Sequence, residues 1–99
     1  MSQPEESQQE TPTVYIGRKN MSYYINVCLK LFDKNHPRVV VEGMGQNIKK
    51  AVDVANFLRF IYKTSKINIE DISIDLVEGE VVRGLPKKIS RIRITLSRE

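Results

Sequence analysis

The chain has no tryptophan, one cysteine (Cys28) and one histidine (His36) among its 99 residues. A single cysteine excludes an internal disulfide and a multi-cysteine metal site, and His36 adds no ligand near it in sequence. No metal is expected, and the chain reads as intracellular and reduced. No apolar run approaches the ~20 residues needed to span a bilayer, so no membrane is expected among its partners. The N-terminus is acidic, where a signal peptide is basic and then apolar, so a soluble cytoplasmic protein is expected. Cations are missing from residues 1–12, which hold Glu5, Glu6 and Glu10 among Gln, Ser, Pro and Thr. That composition has too little apolar surface to offset the entropy of ordering. It reads as a disordered acidic arm ahead of a single domain, residues 13–99.

What the chain has in excess is positive charge outside that arm. The whole carries 16 Lys and Arg against 12 Asp and Glu, a net of +4. Three of the acids lie in the arm, so residues 13–99 carry 16 cations against 9 acids, or +7. An excess of that size in one small domain points to a polyanionic partner.

The order of elements follows from periodicity. Residues 13–17 are β-branched and aromatic, which suits a short strand, and Arg18-Lys19 follow at once. Asn20 is a good N-cap, and Met21, Ile25, Cys28, Leu29 and Phe32 fall on one face of a helix running to about Lys34. Asn35-His36-Pro37 breaks it. The continuous run Val39-Val40-Val41 predicts a central strand buried on both faces. A glycine-flanked corner, Gly43-Met44-Gly45, then leads into a second helix from near Gln46 to about Lys63, with Ile48, Ala51, Val52, Ala55, Leu58 and Tyr62 in one stripe. Val54, Phe57 and Ile61 widen that stripe beyond what covering a sheet requires, which predicts contact with a second chain.

Residues 69–82 and 89–96 read as two strands around an exposed tip, Arg83-Gly84-Leu85-Pro86-Lys87-Lys88. The first arm holds Glu70, Asp71, Asp75, Glu78 and Glu80; the tip and return strand hold Arg83, Lys87, Lys88, Arg91, Arg93 and Arg98. Some of these must pair across strands, while Arg83, Lys87 and Lys88 have no acid close in sequence between Val81 and Ser97. On the return strand Ile92, Ile94 and Leu96 share one face. The expected fold is α+β: a βαβαββ two-layer sandwich, a four-stranded mixed sheet with two helices on one face and a long C-terminal β-hairpin arm.

Three cation-bearing ends of elements stand out: Arg18, Lys19 and Asn20 after the first strand; Gly45, Gln46, Asn47, Lys49 and Lys50 at the start of helix two; and Arg83, Lys87, Lys88 and Arg91 on the hairpin. Any one of them is an ordinary solvated turn. Three in one small domain favour contact with nucleic-acid phosphates. The corner Gly43-x-Gly45 has Ile48 where a dinucleotide loop has its third glycine, and no phosphate-loop lysine pattern follows, so no cofactor is expected. Two readings stay open for it: a glycine-permitted tight turn, or a turn whose helix N-terminus holds a backbone phosphate. His36 beside Pro37, Cys28 on a core face and dispersed carboxylates supply no nucleophile and base, so no catalytic residues and no enzyme are expected. Tyr15, Tyr23, Tyr24, Phe57, Phe60 and Tyr62 include candidates for base stacking, but at helical spacing they read mostly as core, with only Phe60 on a polar face.

Ile16-Gly17-Arg18-Lys19 before a helix, Gly45-x-x-Ile48-x-Lys50-Ala51-Val52-Asp53 at the start of a second, and a long final hairpin resemble the Alba family of archaeal chromatin proteins. The resemblance covers roughly residues 13–98. It implies a fold akin to the C-terminal domain of a bacterial translation initiation factor, a homodimer, and sequence-tolerant binding of double-stranded DNA and RNA without enzymatic activity. It also implies that Arg18 and Lys19 lie along the central binding surface, that Lys50 is the helix lysine, and that the hairpins are arms entering the minor groove. Contacts between dimers are implied through an aromatic late in helix two, Tyr62 or Phe60. The family often has arginine after the loop glycine where this chain has Gln46, which leaves a weaker or merely polar contact there. It also has lysine where this chain has Arg18, so control by acetylation, if it operates, falls on Lys19.

The expected function is therefore a chromosome-associated, sequence-nonspecific duplex DNA binder that coats and compacts DNA as a dimer. RNA folding, RNA stability or a ribonucleoprotein is the alternative. A subunit-interaction domain with merely solubilising cations, or an enzyme of small anions, is a third reading. Pairing with a paralogue stays open.

Overall fold

The computed structural model describes residues 10–61 and 66–98. Most of the acidic arm, Tyr62 and the expected end of helix two lie outside them. The elements run β1 (Thr13–Tyr15), α1 (Met21–Asp33), β2 (Arg38–Met44), a 3₁₀ turn (Gly45–Asn47), α2 (Ile48–Ile61), β3 (Ile67–Val82) and β4 (Leu85–Arg98). The sheet order is β1-β2-β4-β3, with β1 parallel to β2 and the other pairs antiparallel. This is the expected four-stranded mixed sheet. The ladder starts one residue earlier than the expected domain boundary, because the Pro12 carbonyl accepts from Val40 N at 2.9 Å.

Both helices cover the same face. Val14 and Ile16, Val39 and Val41, Ile94 and Leu96 form one core with Tyr24, Ile25, Cys28 and Phe32 of α1 and Ala51, Val54, Ala55 and Leu58 of α2. The alternate residues of β2, Val40 and Glu42, are each 8% exposed on the open face. Their cross-strand neighbours hide them: Thr13 and Thr95 flank Val40, while Tyr15 and Arg93 flank Glu42. Burial on both sides of the valine run thus comes from a polar, one-layer cover on one side.

The corner after β2 depends on Gly43. A Cβ there would lie 2.7 Å from the Asn47 carbonyl oxygen and 2.8 Å from the Ala51 side chain, so α2 packs against bare backbone. Gly45 follows with a φ of +56°, which turns the chain into the 3₁₀ segment.

Three expectations change. Val54, expected on a surplus face of helix two, is fully buried within the chain. The core stripe is rotated toward it, and Val52 packs at its margin. Second, the hairpin has no six-residue tip. Arg83 and Gly84 have φ of 54° and 77°, the two positive values of a two-residue hairpin turn whose twist matches the strands. The ladder therefore closes at Val82 and Leu85, and Lys87 and Lys88 belong to β4. Third, the strand expected from residue 69 begins at Ile67, and it is bulged between Ile69 and Asp71. The extra residue lets Ile67, Ile69, Ile72, Ile74 and Leu76 face the same side despite the break in alternation. Beyond the reach of the helices that side is open, leaving Ile72, Ile74 and Leu76 at 55%, 77% and 63% exposed.

Candidate nucleic-acid interface

The loop after β1 is fastened from two directions. The buried Tyr24 of α1 accepts hydrogen bonds at its phenol oxygen from Gly17 N at 2.8 Å and Lys19 N at 3.2 Å. The Lys50 ammonium, in the first turn of α2, donates to the carbonyl oxygens of Gly17 at 2.7 Å and Lys19 at 2.8 Å. It also lies 5.8 Å from the centre of the Tyr24 ring. Backbone donors are thus satisfied by a phenol and backbone acceptors by an ammonium, and the Arg18 and Lys19 side chains are left exposed. Asn20 is occupied as the α1 cap, its Oδ1 accepting from Tyr23 N at 3.1 Å and Ser22 Oγ at 2.9 Å.

At the helix-two corner, Gly45, Gln46 and Asn47 line an open cleft of ≈ 840 Å³ together with Lys87 and Lys88 of the hairpin stem. The corner and the arm, distant in sequence, are therefore two walls of one cleft. Lys49 is engaged by Asp53 one turn on, at 2.8 Å, and that hydrogen bond raises its pKa.

The antiparallel register sets which hairpin cations have partners. Arg91 faces Asp75 and makes a bidentate pair at 2.9 and 2.5 Å. The hydrogen bond holds the Asp75 carboxyl below its usual range and raises the guanidinium pKa. Lys88 faces Glu78, with its Nζ 3.6 Å from Oε2, so it is not the unneutralised cation that the local sequence suggests. Nearer β1, Arg93 Nε lies 3.1 Å from Glu42 Oε1, close enough for an ion pair though not aligned as a hydrogen bond. Among the described residues Arg18, Lys19, Arg83 and Lys87 have no acidic partner. Exposed ion pairs are worth little and can be exchanged for a phosphate, so Lys49, Lys88 and Arg91 are available at a cost.

The three clusters form a connected band: the β1 loop is tied through Lys50 to the start of α2, which shares its cleft with the hairpin stem. Such a band can meet successive anionic oxygens of an extended polymer. Aromatic placement departs from expectation. Besides Phe60, at 64% exposed with the Arg59 guanidinium 5.1 Å from its ring centre, Tyr15, Tyr23 and Phe57 are also on the surface. The β3 stripe was missed from sequence, although the adjacent acids Glu70 and Asp71, which interrupt the isoleucine alternation, mark the bulge that creates it.

Cys28 is wholly buried and its thiol is pushed up to about 12 by that burial. Among the described residues no group of three His, Cys, Asp or Glu is placed to hold a metal ion, and no helix is long and apolar enough to cross a membrane.

A mixed four-stranded sheet under two helices, with a cationic band along one end and a projecting two-stranded arm, defines a charge-presenting α+β domain of the initiation-factor C-terminal type. The chain belongs to the Alba family, whose model matches residues 12–75. The DNA/RNA-binding protein Alba of Nanoarchaeum equitans is 33% identical over 86 residues, covering 86% of this chain and 96% of that protein. Its namesake in Thermoplasma acidophilum is 30% identical over 89 residues, covering 90% and 98%. The solved structure of Alba from Thermoplasma volcanium superposes with a TM-score of 0.78 at 28% identity, covering 87% of this chain and 99% of that one.

Proposed function

We propose that this chain is a sequence-nonspecific double-stranded DNA-binding chromatin protein that coats and compacts the chromosome as a homodimer. The observation that carries the reading is the connected cationic band, in which a fastened loop, a helix start and a hairpin stem present Arg18, Lys19 and Lys87 without acidic partners among the described residues, with Arg83 at the hairpin turn beyond them. The relatives' printed names, DNA/RNA-binding protein Alba, support the same class. Arg18 and Lys19 contact backbone phosphates, Gln46 and Asn47 add polar contacts at the helix start, and the hairpin arm reaches along a groove. None of these contacts reads base identity, so binding is tolerant of sequence.

Dimerisation is supported by the exposed row Ile72, Ile74 and Leu76, of which Ile74 and Leu76 line a cleft of ≈ 530 Å³ with Ile48 and Ile92. A contiguous apolar patch on a chain this charged marks an interface, and a second copy doubles the cationic band. Contacts between dimers fall to the exposed Phe60; the other expected residue, Tyr62, lies outside the described residues. Titrating a mixed-sequence duplex at increasing salt tests the reading. Log K is expected to fall linearly and steeply with log salt, and a flat response overturns it.

RNA is the second reading, favoured by the exposed Tyr15 and Tyr23 beside the loop. Crosslinking in cells followed by sequencing of both polymers separates the two: recovery dominated by RNA selects the alternative.

A further inference from the structure

We infer that the chain carries a separate site for an unpaired nucleobase, in the cleft between the free edge of β1 and the outer side of α1. This rests on the reading that Arg18 and Lys19 contact phosphate.

The cleft has a volume of ≈ 320 Å³ and is walled by Thr13 and Tyr15 on one side and Tyr23, Val27 and Leu31 on the other, with Tyr24 at its base. Tyr23 is 46% exposed, so its ring offers aromatic surface in the cleft; β1 contributes its backbone edge, with the Thr13 and Tyr15 side chains on the open face of the sheet beside Arg93 and Glu42. Tyr24 meets the Tyr23 ring edge-on, with centroids 5.1 Å apart and planes at 88°, which fixes the orientation of Tyr23.

Polar groups converge on the same place. β1 is an edge strand. Pro12 O and Ile16 N bond to β2, and bonding alternates along a parallel ladder, so the N–H and C=O groups of Thr13 and Tyr15 point away from β2 at the rim of the cleft. These are donors and acceptors of the kind a base edge needs. The Lys19 ammonium lies 5.1 Å from the centre of the Tyr23 ring, and Arg18 is exposed on the same loop.

A flat aromatic surface, edge donors and acceptors, and a cation beside the ring together fit one nucleotide: its base stacked on tyrosine, its phosphate on Lys19. Among the described residues no acidic side chain lines the cleft, which favours a phosphate-bearing ligand over a peptide strand added to β1. A base inside a duplex is already stacked and cannot enter, so the ligand is single-stranded, whether RNA or DNA.

The test compares a short fluorescent single strand with an abasic strand of the same length and charge, in ribo- and deoxyribo- forms, using the full chain. Because backbone charge is matched, any difference reports the base. The base-bearing strand is expected to bind on the order of ten- to a hundredfold more tightly, the range of base–aromatic stacking. Tyr23→Leu should abolish that preference, whereas Tyr23→Phe, which keeps the ring, should retain it. Duplex affinity should be unchanged in both variants. Equal affinity for base-bearing and abasic strands overturns the site while leaving duplex binding intact. A preference that survives the leucine substitution also overturns it. The ribo- and deoxyribo- arms identify which polymer supplies the ligand.

Discussion

The ammonium of Lys50 donates a 2.7 Å hydrogen bond to the carbonyl oxygen of Gly17, 33 positions away in sequence. With its second bond to Lys19 O, this commits most of the side chain's donors to holding the cationic loop. In the proposed interface its part is therefore to position Arg18 and Lys19, with direct charge a minor part.

Replacing Lys50 by methionine should lower stability by about 1–3 kcal/mol, since two charge-assisted hydrogen bonds to backbone are lost. Duplex affinity should fall while the slope of log K against log salt stays near that of the parent. Lys87→Gln should instead leave stability unchanged and make the slope shallower by about 0.9 per protomer, the value for one phosphate contact. Thermal unfolding and salt titration of the two variants separate the roles. A slope change for Lys50→Met equal to that for Lys87→Gln would show Lys50 to be a direct contact.

Asp75 restrains Arg91. Its folded-state pKa is depressed by that hydrogen bond, so the pair stabilises the fold at neutral pH. The contribution is lost as pH falls through the lowered value, below the ordinary carboxylate range. Asp75→Asn removes the restraint at every pH. It should tighten duplex binding and steepen the salt dependence by up to about 0.9 per protomer, because Arg91 becomes available to phosphate. Weaker binding in this variant would mean that Arg91 must be held by Asp75 to reach its partner.

The row Ile72, Ile74 and Leu76 should be covered in solution. Ile74 is 77% exposed in the isolated chain, so Ile74→Glu costs little within one protomer. Sedimentation should show the parent as a dimer and the variant as a folded monomer with a shallower salt slope. A dimer that persists in Ile74→Glu places the interface elsewhere.

Much of this architecture was legible from residues in order. The valine run marks the central strand, Asn20 caps α1, and the alternation of Ile92, Ile94 and Leu96 identifies the covered face of β4. What could not be read depends on register. Asp75 meets Arg91 and Glu78 meets Lys88 only because a two-residue turn aligns them, and the six turn-like residues around Gly84 concealed how short that turn is. Lys50 reads as a surface cation until the Gly17 carbonyl is brought to it. Val54 looked superfluous because a periodicity argument cannot say how a helix is rotated on its sheet. The cation clusters at element ends were visible in the sequence, but their connection into one band was not.

That band is the central claim, and salt dependence measures it most directly. The parent should be compared with a variant carrying Arg18→Gln, Lys19→Gln and Lys87→Gln, by titrating one duplex of mixed sequence and one of uniform sequence. The slope is expected to be shallower by about 5.4 for the dimer, three contacts on each protomer at about 0.9 each, with equal loss on both duplexes. An unchanged slope, or a loss confined to one sequence, would contradict it.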